Sequence, residues 1–279
     1  MYSAKYVPQS GRTFRFGYEY GTIFDIDPLD GITAKIGTSQ GFQQTGETVE
    51  NMFVSGVERQ ITGRIIGPAN TIKRDMFTAL APMSYGRLYF DDKYFCDCVV
   101  KSAPAFGVET RDCAFTITLF CPFPYWMDER AENFISGGYT PAFHFPVNYA
   151  TPHVFGISNP TAFVNCYNDG VVPVDFTATF TARVTVESYY GLMNALTGQE
   201  LRINDSLAIG DVTKVYRKNG RLYVEKNGKN IFEKLDEEST LFTMAPRDNP
   251  IKAITDNSPD DIIVTISFYN TYSGVYDGL

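Results

Sequence analysis

No stretch of the 279-residue sequence holds the roughly 18 consecutive apolar residues that a membrane-crossing helix needs, so no transmembrane helix is expected. The opening residues, MYSAKYVPQSGRTFRFGYEYG, lack the apolar core of a signal peptide, and passage through the secretory route is not expected. A basic excess is missing as well. The net charge is -8 and both halves are acidic, which disfavours nonspecific binding to a polyanion such as nucleic acid. Histidine is scarce: His144 and His153 stand apart in a proline-rich stretch, and no Cys-x-x-Cys knuckle accompanies them, so no metal site is expected. The five cysteines, Cys96, Cys98, Cys113, Cys121 and Cys166, are odd in number and irregular in spacing, a poor disulfide framework. They read as buried, reduced thiols, with Cys96 and Cys98 on one face of a strand.

Catalytic signatures are equally thin. Gly-x-Ser-x-Gly, the P-loop and His-Glu-x-x-His are all absent. The paired acids Asp91-Asp92, Glu237-Glu238 and Asp260-Asp261 are sequence neighbours, which point to opposite faces of a strand and do not converge as a hydrolase pair must. All three lie beside turn residues, where solvated acids are ordinary. The run DIDPLDG has the look of a calcium loop without the closing glutamate. The expectation is therefore no enzyme, no catalytic residue and no cofactor.

What is present is β-forming sequence. Aromatics make up 15% of the chain, mostly Phe and Tyr, which pack well on pleated sheets. TFRFGYEYG alternates Phe14, Phe16, Tyr18 and Tyr20 with polar or small residues and predicts a strand. CAFTITLF sets Phe115, Ile117 and Leu119 against Ala114, Thr116 and Thr118, and reads as a strand closing its domain. VPVDFTATFTARVTV alternates in the second half. Asn219-Gly220 and Asn227-Gly228 are hairpin turns that imply three successive antiparallel strands, and DDIIVTISFYNTY reads as the final strand. One helix is predicted in ANTIKRDMFTALAPMSYG, capped by Asn70 or Thr71, with Ile72, Met76, Phe77 and Leu80 at helical spacing and Pro82 and Gly86 ending it. The fold class is mainly β in two domains. Residues 1–135 form a β-rich domain with one helix, 136–154 a charge-free linker packed on surfaces, and 155–279 a β-sandwich.

The order of short motifs resembles the siphophage distal tail protein (Dit) family over nearly the whole chain. In the first half the resemblance is carried by FVSGVERQITGRIIG, a helix ending in Leu-Ala-Pro, GRLYF, and a strand entering CPFPYW. In the second half NDGVVPVDFTATF, LTGQELRIN, Gly210-Asp211, the hairpins, EESTLF and DNPI follow in order. The resemblance implies an N-terminal ring-forming domain and a galectin-like C-terminal domain. It further implies a hexameric ring at the tail tip, a homo-oligomer that joins the tail-tube protein to a tail-associated hub or fibre protein and leaves a channel for DNA. The expected location is the virion tail tip, and the host cytoplasm during assembly, with no specific nucleic-acid binding and no membrane partner. Longer relatives carry inserted carbohydrate-binding modules, for which Phe155 to Leu279 leaves no room. A lectin-like host-adhesion module is the alternative, for which Tyr189, Tyr190, Tyr216 and Tyr223 are the available stacking rings.

Two stretches are the candidate contact sites. FCPFPYW puts four aromatics and two prolines in seven residues. Its Phe123, Tyr125 and Trp126 are read as locking the chain exit against the sandwich or the second domain, as a plain hydrophobic plug inside one domain, or as touching a partner. Gly37 to Asn51 is too polar for core and too long for a simple turn, so it predicts an exposed loop or projecting hairpin. Its Gly41, Phe42, Gln43, Gln44 and Thr45 are the candidate arm that reaches a neighbouring subunit.

Overall fold

The computed structural model describes residues 3–108, 112–128, 132–136, 139–141, 156–158, 163–218, 220–240, 242–256 and 258–275. Two units form: Met1–Arg130 together with Thr271–Leu279, and Ala131–Asn270. The sequence division differs at both ends of the second unit, because residues 131–135 go with it and residues 271–279 return to the first. Most of the expected linker, with His144 and His153, lies outside the described residues.

Unit 1 contains β1 (Ala4–Pro8), β2 (Phe14–Phe16), β3 (Thr22–Asp27), β4 (Ala34–Ser39), β5 (Thr48–Val54), β6 (Val57–Ile65), α1 (Ala69–Ala79), β7 (Tyr85–Phe90), β8 (Tyr94–Phe106), β9 (Cys113–Cys121) and β10 (Trp126–Asp128). The main sheet runs β2-β1-β7-β8-β9-β6-β3, with β10 pairing β8 off this path. It curls on itself. Thr22 N–H donates to Gly17 O at 3.0 Å, Gly17 N–H donates to Thr22 Oγ1 at 2.9 Å, and the Phe16 and Phe24 rings meet at 5.6 Å. Strand alternation does the sorting. On β9 Phe115, Ile117 and Leu119 are buried while Ala114 and Phe120 are exposed, as period two requires.

Three expectations for this unit need correction. TFRFGYEYG is not one strand: β2 stops at Phe16, Gly17 sits at φ 147, and Tyr18–Tyr20 forms a 3-10 turn with both tyrosines exposed. β9 closes nothing, since it is hydrogen-bonded on both sides, to β8 and to β6. In α1 Asn70 and Thr71 lie inside the helix. Pro68 takes the N-cap without any side-chain bond, and its carbonyl accepts from the Thr71 and Ile72 N–H groups. The expected spacing holds for Ile72, Met76 and Leu80, all buried, whereas Phe77 is exposed beside Phe106.

Unit 2 contains β11 (Glu132–Ser136), β12 (Tyr139–Pro141), β13 (Gly156–Ser158), β14 (Val164–Asn165), β15 (Thr177–Ala182), β16 (Tyr190–Asn194), β17 (Glu200–Ile203), β18 (Val212–Lys218), β19 (Arg221–Lys226), β20 (Lys229–Asn230), β21 (Pro250–Thr255) and β22 (Ile262–Phe268). One sheet runs β11-β22-β15-β18-β19-β20 and another β14-β21-β16-β17, while β12 and β13 pair with each other. Phe180, Val215, Val264 and Ile266 of the first sheet share a core with Leu192, Leu201, Ile203 and Ile251 of the second, which makes a β-sandwich. The three successive strands implied by the Asn-Gly pairs are β18, β19 and β20.

Two buried asparagines tie the loops at the sandwich rim. Asn168 Nδ2 donates to Met244 O (2.9 Å) and Val172 O (3.1 Å), and its Oδ1 accepts from Gly170 N–H. Asn249 Nδ2 lies within bonding distance of Ala245 O (2.7 Å), Arg247 O (3.0 Å) and Cys166 O (3.1 Å), and its Oδ1 accepts from Ala245 N–H at 2.9 Å. These are the asparagines of the NDG and DNPI runs. Beyond β22, the strand β23 (Thr271–Tyr272) leaves unit 2 and pairs with β10 of unit 1, with Trp126 opposite Tyr272 and Met127 opposite Thr271. DDIIVTISFYNTY is therefore two strands, and only the first belongs to the sandwich.

Candidate functional site

The stretch 37–51 belongs to a hairpin longer at both roots, β4 and β5, which pair only with each other. At the tip Gln44 acts as the staple. Its N–H donates to Gly41 O (3.1 Å), its Oε1 accepts from Gly41 N–H (2.8 Å), and its Nε2 donates to Thr48 Oγ1 (2.8 Å). Gln43 takes a positive φ of 59, and Phe42 is 96% exposed. The register places Ala34 opposite Val54, Ile36 opposite Met52 and, past a bulge, Thr38 opposite Val49. Period two puts these residues on one face. That face is apolar and open: Ile36 is 58%, Met52 70% and Val49 51% exposed. The other face carries Lys35 over the Phe53 ring, with Gly37 against Asn51, where a Cβ would meet Asn51 Oδ1 at 2.3 Å. Sequence reasoning found the projection and missed this face. Its residues flank or alternate through the polar stretch, and the bulge at Glu50 breaks their period.

FCPFPYW divides between inside and outside. Phe120 and Phe123 are exposed, and Phe123 meets the Tyr125 ring at 5.2 Å. Trp126 is fully buried in the unit 1 core. Its Nε1–H donates to Leu29 O at 2.9 Å, Phe90 lies 6.2 Å away, and the Arg59 guanidinium sits 4.4 Å over its ring. Arg59 is itself buried, and donates to Pro124 O (2.7 Å) and to Pro28 O. Pro122 thus follows the end of β9, and Pro124 offers its carbonyl to a buried cation. The run brings Phe123 and Tyr125 together near the surface and sends Trp126 inward.

Several of the remaining chemistry-bearing residues have structural partners. Asp92 pairs with Lys5, and Asp261 closes a capping box with Ser258. Tyr190 is core and bonds Thr213 Oγ1 at 2.8 Å, Tyr216 and Tyr223 stack on each other at 5.2 Å across β18 and β19, and Tyr189 lies beneath the Arg202 guanidinium. The four tyrosines do not gather into a sugar platform. An open hollow of about 580 Å³ is lined by Asn204, Glu233, Lys234, Leu235, Asp236, Glu237 and Glu238, with Asp236 accepting from Asn204 Nδ2 at 2.8 Å. Among the described residues no cluster of His, Cys, Asp or Glu fits a metal ion. All five cysteines are free and buried.

Residues 169–272 match the family model described as Siphovirus-type tail component, C-terminal domain. The crystal structure of the Dit protein of phage SPP1 superposes with a TM-score of 0.69 at 13% identity, covering 97% of this chain and 99% of that one. A chain of the phage P2 baseplate in its activated conformation with Ca gives 0.56 at 10% identity, covering 99% and 100%. The corresponding baseplate with Sr gives 0.53 at 10%, covering 96% and 98%. No curated protein sequence matches. Residues 169–272 are thus similar to the siphovirus-type tail component C-terminal domain, and the chain as a whole shares the fold of the Dit protein of phage SPP1.

Proposed function

We propose that this protein is a structural component of a phage tail tip or baseplate, without enzymatic activity, that assembles as a hexameric ring around a channel for DNA. The observation that carries this reading is the extent of the likeness to SPP1 Dit, which takes in both units and almost all of each chain. That structure is titled a paradigm of the hub adsorption apparatus in Gram-positive infecting phages. In the proposed assembly unit 1 builds the ring and the galectin-like unit 2 serves as scaffold and docking surface. One ring face meets the tail-tube protein and the other the hub or fibre protein. The protein assembles in the host cytoplasm and resides at the virion tail tip.

The β4–β5 hairpin is the proposed subunit arm, with Gly41, Phe42, Gln43, Gln44 and Thr45 at its tip. An apolar sheet face with nothing packed on it is a cost in water that a neighbouring subunit removes. Phe123 and Tyr125 are the proposed partner contact. A net charge of -8 suits a conduit, because an acidic wall offers few phosphate contacts to hold passing DNA. Native mass spectrometry and negative-stain imaging at micromolar concentration, with and without the tube or hub protein, test the proposal. Six-fold rings with a central hole are expected in at least one arm. A strict monomer in every arm overturns it.

A further inference from the structure

Three of the five cysteines meet in the core of unit 1. Cys96 and Cys98 point inward from β8, and Cys121 ends β9 one step beyond the Val99–Phe120 pair, which sets it across from Cys98. The Cys96 and Cys121 sulfurs lie 3.6 Å apart. Beside them is Arg59, on the same inward face of β6, where Val57 pairs with Cys121. Arg59 is 1% exposed, and no carboxylate pairs with it among the described residues. Its Nε–H has no acceptor among the described residues. Two carbonyls and a ring face solvate a cation, yet they do not neutralise it, and an uncompensated buried charge is costly. The group nearby that can supply a negative charge is the Cys121 thiol. Hydrogen bonds from Cys96 and Cys98, and then the Arg59 charge, pull the Cys121 pKa down against a burial effect that pushes it up. Burial pushes the Cys96 thiol up.

We propose that Cys121 is a thiolate paired with Arg59 and that, with Cys96 as its resolving thiol, it forms an oxidisable site for small hydroperoxides. The Cys121 sulfur attacks one oxygen of hydrogen peroxide. The O–O bond breaks, an S–O bond forms, and hydroxide leaves, giving Cys121 sulfenic acid. Cys96 then attacks the Cys121 sulfur, the S–O bond breaks, and hydroxide leaves with the Cys96 proton as water. The two thiol sulfurs are oxidised to a disulfide and the peroxide is reduced to water. A disulfide needs a sulfur separation of about 2.05 Å, so the pair closes by about 1.5 Å. Cys121 is itself fully buried, so peroxide reaches it only when the sheet rim opens beside the loop that carries exposed Phe123.

The test exposes the folded full-length chain to hydrogen peroxide at neutral pH, alkylates the remaining thiols, and maps the products by mass spectrometry. The expected result is a Cys96–Cys121 crosslink formed about tenfold faster than any oxidation at Cys113 or Cys166, because an ordinary thiol is mostly protonated at this pH. The crosslink is absent in Cys121→Ser, or in Cys121→Ala where the serine variant does not fold. A second readout needs no oxidant entry: the ultraviolet thiolate band of the untreated protein is present at neutral pH and lost in the Cys121 variant. Equal oxidation of all five cysteines, a crosslink through Cys98 alone, or a thiolate band unchanged in the Cys121 variant overturns the assignment.

Discussion

Replacing Asn249 with alanine removes a side chain that meets three backbone carbonyls and accepts one backbone N–H inside the rim of unit 2. Asn249 is 1% exposed, so water does not readily take its place. An orphaned buried donor or acceptor costs about 1–3 kcal/mol. The Ala245 N–H loses its acceptor outright, while the carbonyls keep a second lone pair and relax more cheaply. Counting one full orphan and about one more kcal/mol for the carbonyls gives a loss of about 3 kcal/mol, a large share of the 5–15 kcal/mol typical of a folded domain. Asn249→Asp sharpens the test. The aspartate has the same shape and keeps an acceptor, but it points a carboxylate at three carbonyl oxygens and donates nothing. Urea unfolding followed by far-ultraviolet circular dichroism should therefore rank wild type above alanine and alanine above aspartate. A loss below about 1 kcal/mol for alanine, or an aspartate variant as stable as wild type, refutes the account of Asn249 as the rim tie.

Trp126→Ala should cost about 3–5 kcal/mol, read as a shift of the urea midpoint, because it empties the core of a fully buried ring and uncovers the Arg59 cation; Trp126→Phe should cost less, losing chiefly the bond to Leu29 O. In the hairpin, Met52→Glu or Ile36→Glu should leave the monomer's unfolding midpoint unchanged and abolish ring closure by native mass spectrometry, since both side chains are exposed in the isolated chain. At alkaline pH unit 2 should weaken. Burial pushes Cys166 and Tyr190 each up to about 12, so their neutral forms favour the fold. That contribution is complete below the unfolded values, about 8.5 for cysteine and 10 for tyrosine, and is lost as pH rises from there toward 12. Urea midpoints measured between pH 8 and 11 should fall, and fall less in Tyr190→Phe.

Sequence pattern disclosed the β class, the α1 helix and the hairpins at Asn-Gly, because each depends on local periodicity or on one turn's backbone demand. It could not disclose partners across the sheet. Tyr18 and Tyr20 keep the period of Phe14 and Phe16, and only the Gly17–Thr22 hydrogen bonds turn them out to solvent. β9 looked terminal because a proline-rich run follows it, whereas its neighbours β6 and β8 come from earlier in the chain. At the candidate sites, exposure of Phe42 was legible from the polarity around it. The apolar face of the hairpin was hidden by a bulge. The approach of Arg59 and Cys121 to Cys96 depends on which strands lie side by side, a fact carried by no single stretch.

The pairing of β23 with β10 makes unit 2 an insertion within unit 1, entered after Arg130 and left before Thr271, the cross-strand partner of Met127. A ribosome making this chain from its N-terminus releases all of unit 2 before it supplies the strand that covers Trp126. Unit 1 therefore finishes after unit 2. Buried Thr271 and Val275, with half-buried Tyr272, complete unit 1. Nascent chains stalled before Thr271 should carry a protease-resistant sandwich and an incomplete unit 1 sheet, and the proposed assembly through unit 1 waits until Thr271–Tyr272 has been made.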